Sequence, residues 1–206
     1  MPLPQYDVHG AVFDANVCID MAVCLGEPAT WERFDAVGTE LWQKRRACSL
    51  SRPFVDRRVD SLLSMWHAKD GMFAGKDPLK VFTSNHVDNL VIDKLQSAYG
   101  WNRDAAMDVV YDVVHELVFE RTSGATFGDH PNFSNFHPPL DWEDGRVYQL
   151  SCGIGDDCHR KYCVTNDKEF RLAPLGGSAE VLYPHEWMYR VRQARTAFRP
   201  VPPPAR

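Results

Sequence analysis

Short apolar runs of strand type alternate with amphipathic helical stretches along this chain, and that alternation is its strongest constraint on fold. Val8–Phe13, Lys80–Thr83, Lys161–Thr165 and Glu180–Tyr183 read as strands. Thr30–Arg46 reads as a helix with Phe34, Leu41 and Trp42 on its apolar side and Thr30 at its N-cap. Ser51 caps a second helix that has Pro53 in its first turn and a stripe of Val55, Val59, Leu62, Leu63 and Trp66. Ser84 or Asn85 caps a third, with Val87, Leu90, Val91, Lys94 and Leu95 on one face. Asn102 caps the longest, where Met107, Val110, Tyr111, Val114, Leu117 and Val118 keep a helical period. Asp141–Gly153 and Pro184–Phe198 are two more helices, while Gly71–Pro78 and Gly124–Leu140 read as irregular connections. Such alternation predicts an α/β fold with a mostly parallel sheet covered on both faces.

The length of 206 residues suits one domain with a real core, here taken as 1–198. Residues 199–206 contain four prolines and read as a flexible tail. No apolar run approaches the roughly 18 residues of a membrane helix. The N-terminus lacks a basic region followed by an apolar stretch, so a cytoplasmic, non-membrane protein is expected. Of the six cysteines, Cys152, Cys158 and Cys163 stand with His159 in a C-x5-C-H-x3-C spacing. That spacing lacks the close pair of a zinc site, and reduced cysteines around a helix–strand joint are the better reading. The net charge of −5 does not favour nucleic acid. Two stretches run against it: Lys44, Arg45, Arg46, Arg52, Arg57 and Arg58, and the acid-free run carrying Arg190, Arg192, Arg195, Arg199 and Arg206. Solvated helix faces account for both, although a local basic surface can hold phosphates on an acidic protein.

Two strands end at carboxylates. Asp14 follows the first strand, with Asn16 two residues on, and Asp167 follows the strand ending at Thr165. Between them, Asp141, Glu143 and Asp144 open a helix, where the helix dipole favours acids. In open α/β sheets, sites form at the carboxyl ends of the strands. Carboxylates gathered there suit a hard divalent cation.

These segments resemble those of PIN-domain (VapC-like) nucleases. Phe13-Asp14-Ala15-Asn16-Val17 is similar to the family's opening motif, and Val164-Thr165-Asn166-Asp167-Lys168-Glu169-Phe170 to its late motif. Glu143-Asp144-Gly145-Arg146-Val147 resembles its intermediate acidic helix, and Pro184-His185-Glu186-Trp187 its last helix start. Ser84-Asn85-His86-Val87-Asp88 resembles the start of the helix carrying a further acid; Asp88 suits that place, with Asn89 and Asp93 as alternatives. The resemblance implies a PIN-like three-layer α/β/α sandwich with extra helices inserted at roughly residues 30–75. It implies a Mg²⁺- or Mn²⁺-dependent ribonuclease with Asp14, Asp144 and Asp167 as metal ligands and Asp88 as a fourth catalytic acid. Asn16, Glu143 and Thr165 are supporting residues. It further implies an RNA substrate, a possible role as the toxin of a type II toxin–antitoxin pair with an antitoxin partner, and possible homodimerisation.

Two other readings compete. One is a PIN-like module that has lost catalysis and binds RNA or protein. The other is a haloacid-dehalogenase-like phosphatase built on Asp14 with Asp156 and Asp157. That chemistry needs a second Asp two residues after the nucleophile, where Asn16 stands.

Overall fold

The computed structural model describes residues 6–47, 56–128 and 139–197. Cys48, the expected cap Ser51 with Pro53, and the segment 199–206 lie outside them. The elements run β1 (His9–Phe13), α1 (Ala15–Leu25), α2 (Trp31–Ala47), α3 (Arg57–Trp66), β2 (Met72–Ala74), β3 (Asp77–Ser84) and α4 (Asn85–Tyr99). There follow α5 (Arg103–Asp108), a π-helical segment (Val109–Arg121), β4 (Ala125–Phe127), α6 (Trp142–Gly153), β5 (Arg160–Val164), α7 (Lys168–Leu172), β6 (Ala179–Leu182) and α8 (Pro184–Ala197).

The sheet is mixed and mostly parallel. β1 lies between β3 and β5, parallel to both, and β6 continues beyond β5. On the far side, β3 pairs in parallel with β4 through Phe82–Ser84 and antiparallel with β2 near its start. The chain therefore leaves β1 toward β3, then returns across it to β5. That reversal makes the carboxyl ends of β1 and β5 a topological switch point, where α/β sheets open a crevice.

Alternation along β1 covers both faces. Phe13 meets Trp187 of α8 edge-on at 6.1 Å, and His9 stacks at 3.7 Å on Phe73, within an aromatic layer that includes Tyr162. On the opposite face, Gly10 lies so close to Ile154 and Cys158, beside α6, that an added Cβ would stand 2.6 Å from Ile154 Cδ1. Helices on both faces are consistent with a three-layer α/β/α sandwich. Trp187 also donates from Nε1 to the Ser64 carbonyl, joining α8 to α3.

Local chemistry explains most boundaries. Thr30 Oγ1 accepts from the Arg33 amide, Ser84 Oγ from Val87 and Asn102 Oδ1 from Ala105, as N-caps do. Gly100, at φ 72°, closes α4 in the left-handed conformation that glycine takes without strain. The described part of the second helix begins at Arg57, where Asp56 caps it.

Five features depart from the sequence reading. α1 was not expected because Val17, Cys18, Met21, Ala22 and Leu25 are buried together with Asp20, leaving no clear polar stripe. Gly71–Pro78 is not a loop: β2 and the start of β3 form a hairpin turning at Gly75 (φ 55°). β4, three residues placed in an irregular stretch, is too short for alternation to register. The helix opened by Asn102 stays α-helical only to Asp108, then widens into π geometry, with the pairs Val109–Val110, Val113–Val114 and Leu117–Val118 buried at four-residue intervals. A fifth element, α7, follows Asp167.

Candidate functional site

β1 ends in the core, and its next residue, Asp14, is only 4% exposed. The Asp14 amide donates to the Val164 carbonyl, tying the end of β1 to the end of β5. Thr165, the residue after β5, is wholly buried and serves as the hub. Its hydroxyl donates to Asp14 Oδ2 (2.7 Å) and accepts from Asn16 Nδ2 (3.1 Å) and the Asp167 amide (3.0 Å). One donor and two acceptor positions are thereby all used. Asn16 completes the arrangement, donating to Asp14 Oδ2 at 2.5 Å and accepting the Asn166 amide at 2.9 Å. Asp167 caps α7 by accepting the Phe170 amide at 2.8 Å.

An open cavity of about 290 Å³ lies against this corner. Asp14, Asn16, Glu143 and Asp144 line it together with Arg57, Lys94 and Tyr99. Asp144 gets there because α6 starts at Asp141, whose carboxylate accepts the Asp144 amide at 2.9 Å and orients the first turn. Burial pushes the Asp14 carboxyl up to about 6; the Asp167 charge adds to this, and the hydrogen bonds from Thr165 and Asn16 oppose it. Burial likewise pushes Asp144 up to about 7, reinforced by Asp14, Asp141, Asp167 and Glu143. Among the described residues no lysine or arginine forms an ion pair with Asp14, Asp144 or Asp167. Among the described residues the corner thus gathers carboxyl groups without a cationic partner in contact.

No family profile, curated relative or solved structure matches the chain.

The donors suit a hard cation in kind, since they are carboxylate, hydroxyl and amide oxygens. Their placement fits less well. Among the described residues no three His, Cys, Asp or Glu side chains stand close enough together to hold a metal ion. That statement also covers the described members of the Cys152–Cys163 group. The described cysteines Cys18, Cys24, Cys152, Cys158 and Cys163 are free thiols.

Asp88 stands apart. Its Oδ1 accepts from Thr83 Oγ1 (2.8 Å), and its Oδ2 lies 2.8 Å from His115 Nε2 on the π segment. Both oxygens are engaged, and Asp88, like Asp167, is not among the residues lining the cavity. Asp157 pairs with Lys80 at 2.6 Å, at the opposite strand ends from Asp14, as the β1–β3 register places Lys80 beside Gly10.

A second network escaped the sequence reading. Asp20 Oδ2 accepts from Arg57 Nε (2.5 Å) and from Asn166 Nδ2 (2.8 Å), and Asn166 Nδ2 lies 2.7 Å from Ser61 Oγ. Asn166 thereby pins the chain between Thr165 and Asp167 to α1 and α3. The available signal was the four-residue spacing of Asn16 and Asp20, which puts both on one face of a helix starting at Ala15.

Proposed function

We propose that this protein is a metal-dependent endoribonuclease of PIN type, with its reaction centre at the carboxyl ends of β1 and β5. The observation carrying this reading is Asp14: a buried carboxylate, held by Thr165 and Asn16, lining a cavity it shares with Asp144 and lacking a cationic partner among the described residues. The motif resemblance around Asp14, Asp144 and Asp167 supports it, as does their position at the sheet's switch point. The resemblance makes Asp14, Asp144 and Asp167 the ligands of Mg²⁺ or Mn²⁺, although in this structure the three carboxylates are not drawn together closely enough to hold the ion. An ion held there would supply an activated water.

The chain's own residues do the positioning. Thr165 and Asn16 fix the Asp14 carboxylate in one orientation, so little reorganisation is needed during reaction. Asp141 orients the turn bearing Asp144, and Phe170 orients Asp167 through its amide. Lys94 and Arg57, the latter also paired with Asp20, line the same cavity and offer cationic groups to a phosphodiester whose own charge the acids repel. No side-chain nucleophile is required. A role as a toxin, with an antitoxin partner or as a homodimer, belongs to the same proposal.

The second reading is a catalytically degraded PIN-like module that binds RNA or protein. Its specific support is Asp88, committed to Thr83 and His115, together with the lack of a converged three-ligand group among the described residues. Calorimetric titration with Mn²⁺ separates the two. Binding that is lost in Asp14→Asn supports the nuclease, whereas a wild-type protein that takes up no Mn²⁺ supports the degraded module.

A further inference from the structure

The two basic stretches, separated by about 140 positions in the chain, meet where α2, α3 and α8 come together. Arg46 from the first and Arg192 and Arg195 from the second line one cavity of about 410 Å³ with Trp42, Trp66 and His67. Asp70 is its single described acidic lining residue. Among the described residues none of these three arginines is ion-paired. Arg192 lies over the Trp42 ring, 5.0 Å from its centroid. Arg195 is held from behind, donating to the carbonyls of His67 (2.9 Å) and Met72 (2.7 Å). Positive charge is thus concentrated here on a chain whose net charge is negative.

His67 lines the cavity but is 5% exposed; its Nε2 is buried, with no hydrogen-bond partner among the described residues, and its ring packs edge-on against Trp42 at 4.6 Å and Trp66 at 5.3 Å. Burial and the adjacent Arg195 and Arg192 push the imidazole down to about 3, so at neutral pH it is uncharged and leaves the positive charge to the arginines. The Trp42 and Trp66 rings are 6.5 Å apart and inclined by 37°.

We propose that this cavity is a binding site for single-stranded nucleic acid. Arg46 and Arg192 take the backbone phosphates, and tryptophan surface takes a base. Aromatic surface beside unpaired guanidinium groups is the pattern that holds single strands without sequence preference. An acidic peptide would use the cations but leave the aromatic surface without a stacking partner. The site shares no lining residue with the acidic cavity and does not depend on the reaction assigned there.

The test is fluorescence anisotropy with a short labelled oligouridylate, in EDTA to prevent cleavage. The Arg46→Glu/Arg192→Glu variant is expected to bind about tenfold or more weakly than wild type, with a shallower salt dependence. The variant's melting temperature, measured alongside, is expected to stay within a few degrees of wild type, because both side chains are at the surface. Equal binding by wild type and the charge-reversed variant, or no binding by wild type at low salt, would overturn the site. Adenosine monophosphate binding as tightly as the strand, or polyglutamate binding more tightly, would overturn the strand as its ligand.

Discussion

Thr165 Oγ1 stands 2.7 Å from Asp14 Oδ2, joining residues 151 positions apart at the ends of two neighbouring parallel strands. The same hydroxyl accepts from Asn16 and from the Asp167 amide, so one side chain coordinates most of the corner.

Replacing Thr165 by valine keeps the shape and removes the hub. Asp14 loses one of its donors, keeping Asn16, and the Asp167 amide loses its acceptor in a buried setting. A loss of about 1–3 kcal/mol in stability is expected, read from the urea midpoint at unchanged slope. Because the Thr165 hydrogen bond opposes the upward shift of Asp14, that carboxyl should titrate higher still in the variant, as followed by NMR. An unchanged midpoint would show that the hub is dispensable.

Asp144 makes stability pH-dependent in a definite direction. Its carboxyl titrates near 7 in the folded protein against an ordinary 3.8, so the native state binds this proton more tightly than the unfolded chain. In metal-free buffer this group's contribution therefore falls as pH rises from about 4 to about 7 and stays low above that. Asp144→Asn removes the effect. Its melting temperature, compared with wild type, is expected to rise relative to wild type between pH 4 and pH 8; a constant difference across that range would contradict the assignment.

Arg57→Ala leaves the Asp20 carboxylate, whose side chain is 3% exposed, with Asn166 but without its cation. The Arg57 side chain itself is 61% exposed, which moderates the effect. A destabilisation of about 1–3 kcal/mol is expected from the unpaired buried acceptor. Chemical denaturation checks it, and Arg57→Ala/Asp20→Asn should recover part of the loss.

Gly38 lies inside α2, where alanine normally adds up to about 1 kcal/mol of helix stability. Here an added Cβ would stand 2.2 Å from Trp66 Cδ1 and 2.5 Å from Cγ, in the body of the ring. Gly38→Ala is therefore expected to lower the melting temperature, and a rise would show that Trp66 can shift freely.

How much of this was legible in the sequence depended on local signals. Asp14 and Asp167 declared themselves because an apolar run stops at each, and Asp144 because acids open helices. The caps at Thr30, Ser84 and Asn102 were readable because their partners lie three residues away. What escaped depends on contacts distant in sequence. The π geometry over Val109–Arg121 preserves the burial rhythm of an α-helix, so periodicity does not distinguish them. Asp88 suited a site helix by position, yet its engagement by His115 comes from a helix 27 positions on. The convergence of Arg46 and Arg192 follows from α2 and α8 meeting, which no local pattern encodes.

The central claim is tested most directly by cleavage of a single-stranded RNA in Mg²⁺, comparing wild type with Asp14→Asn of equal thermal stability. Cleavage by wild type that stops in EDTA, and is reduced by about a hundredfold or more in Asp14→Asn, is the predicted result. Cleavage by Asp14→Asn at the wild-type rate would contradict the account.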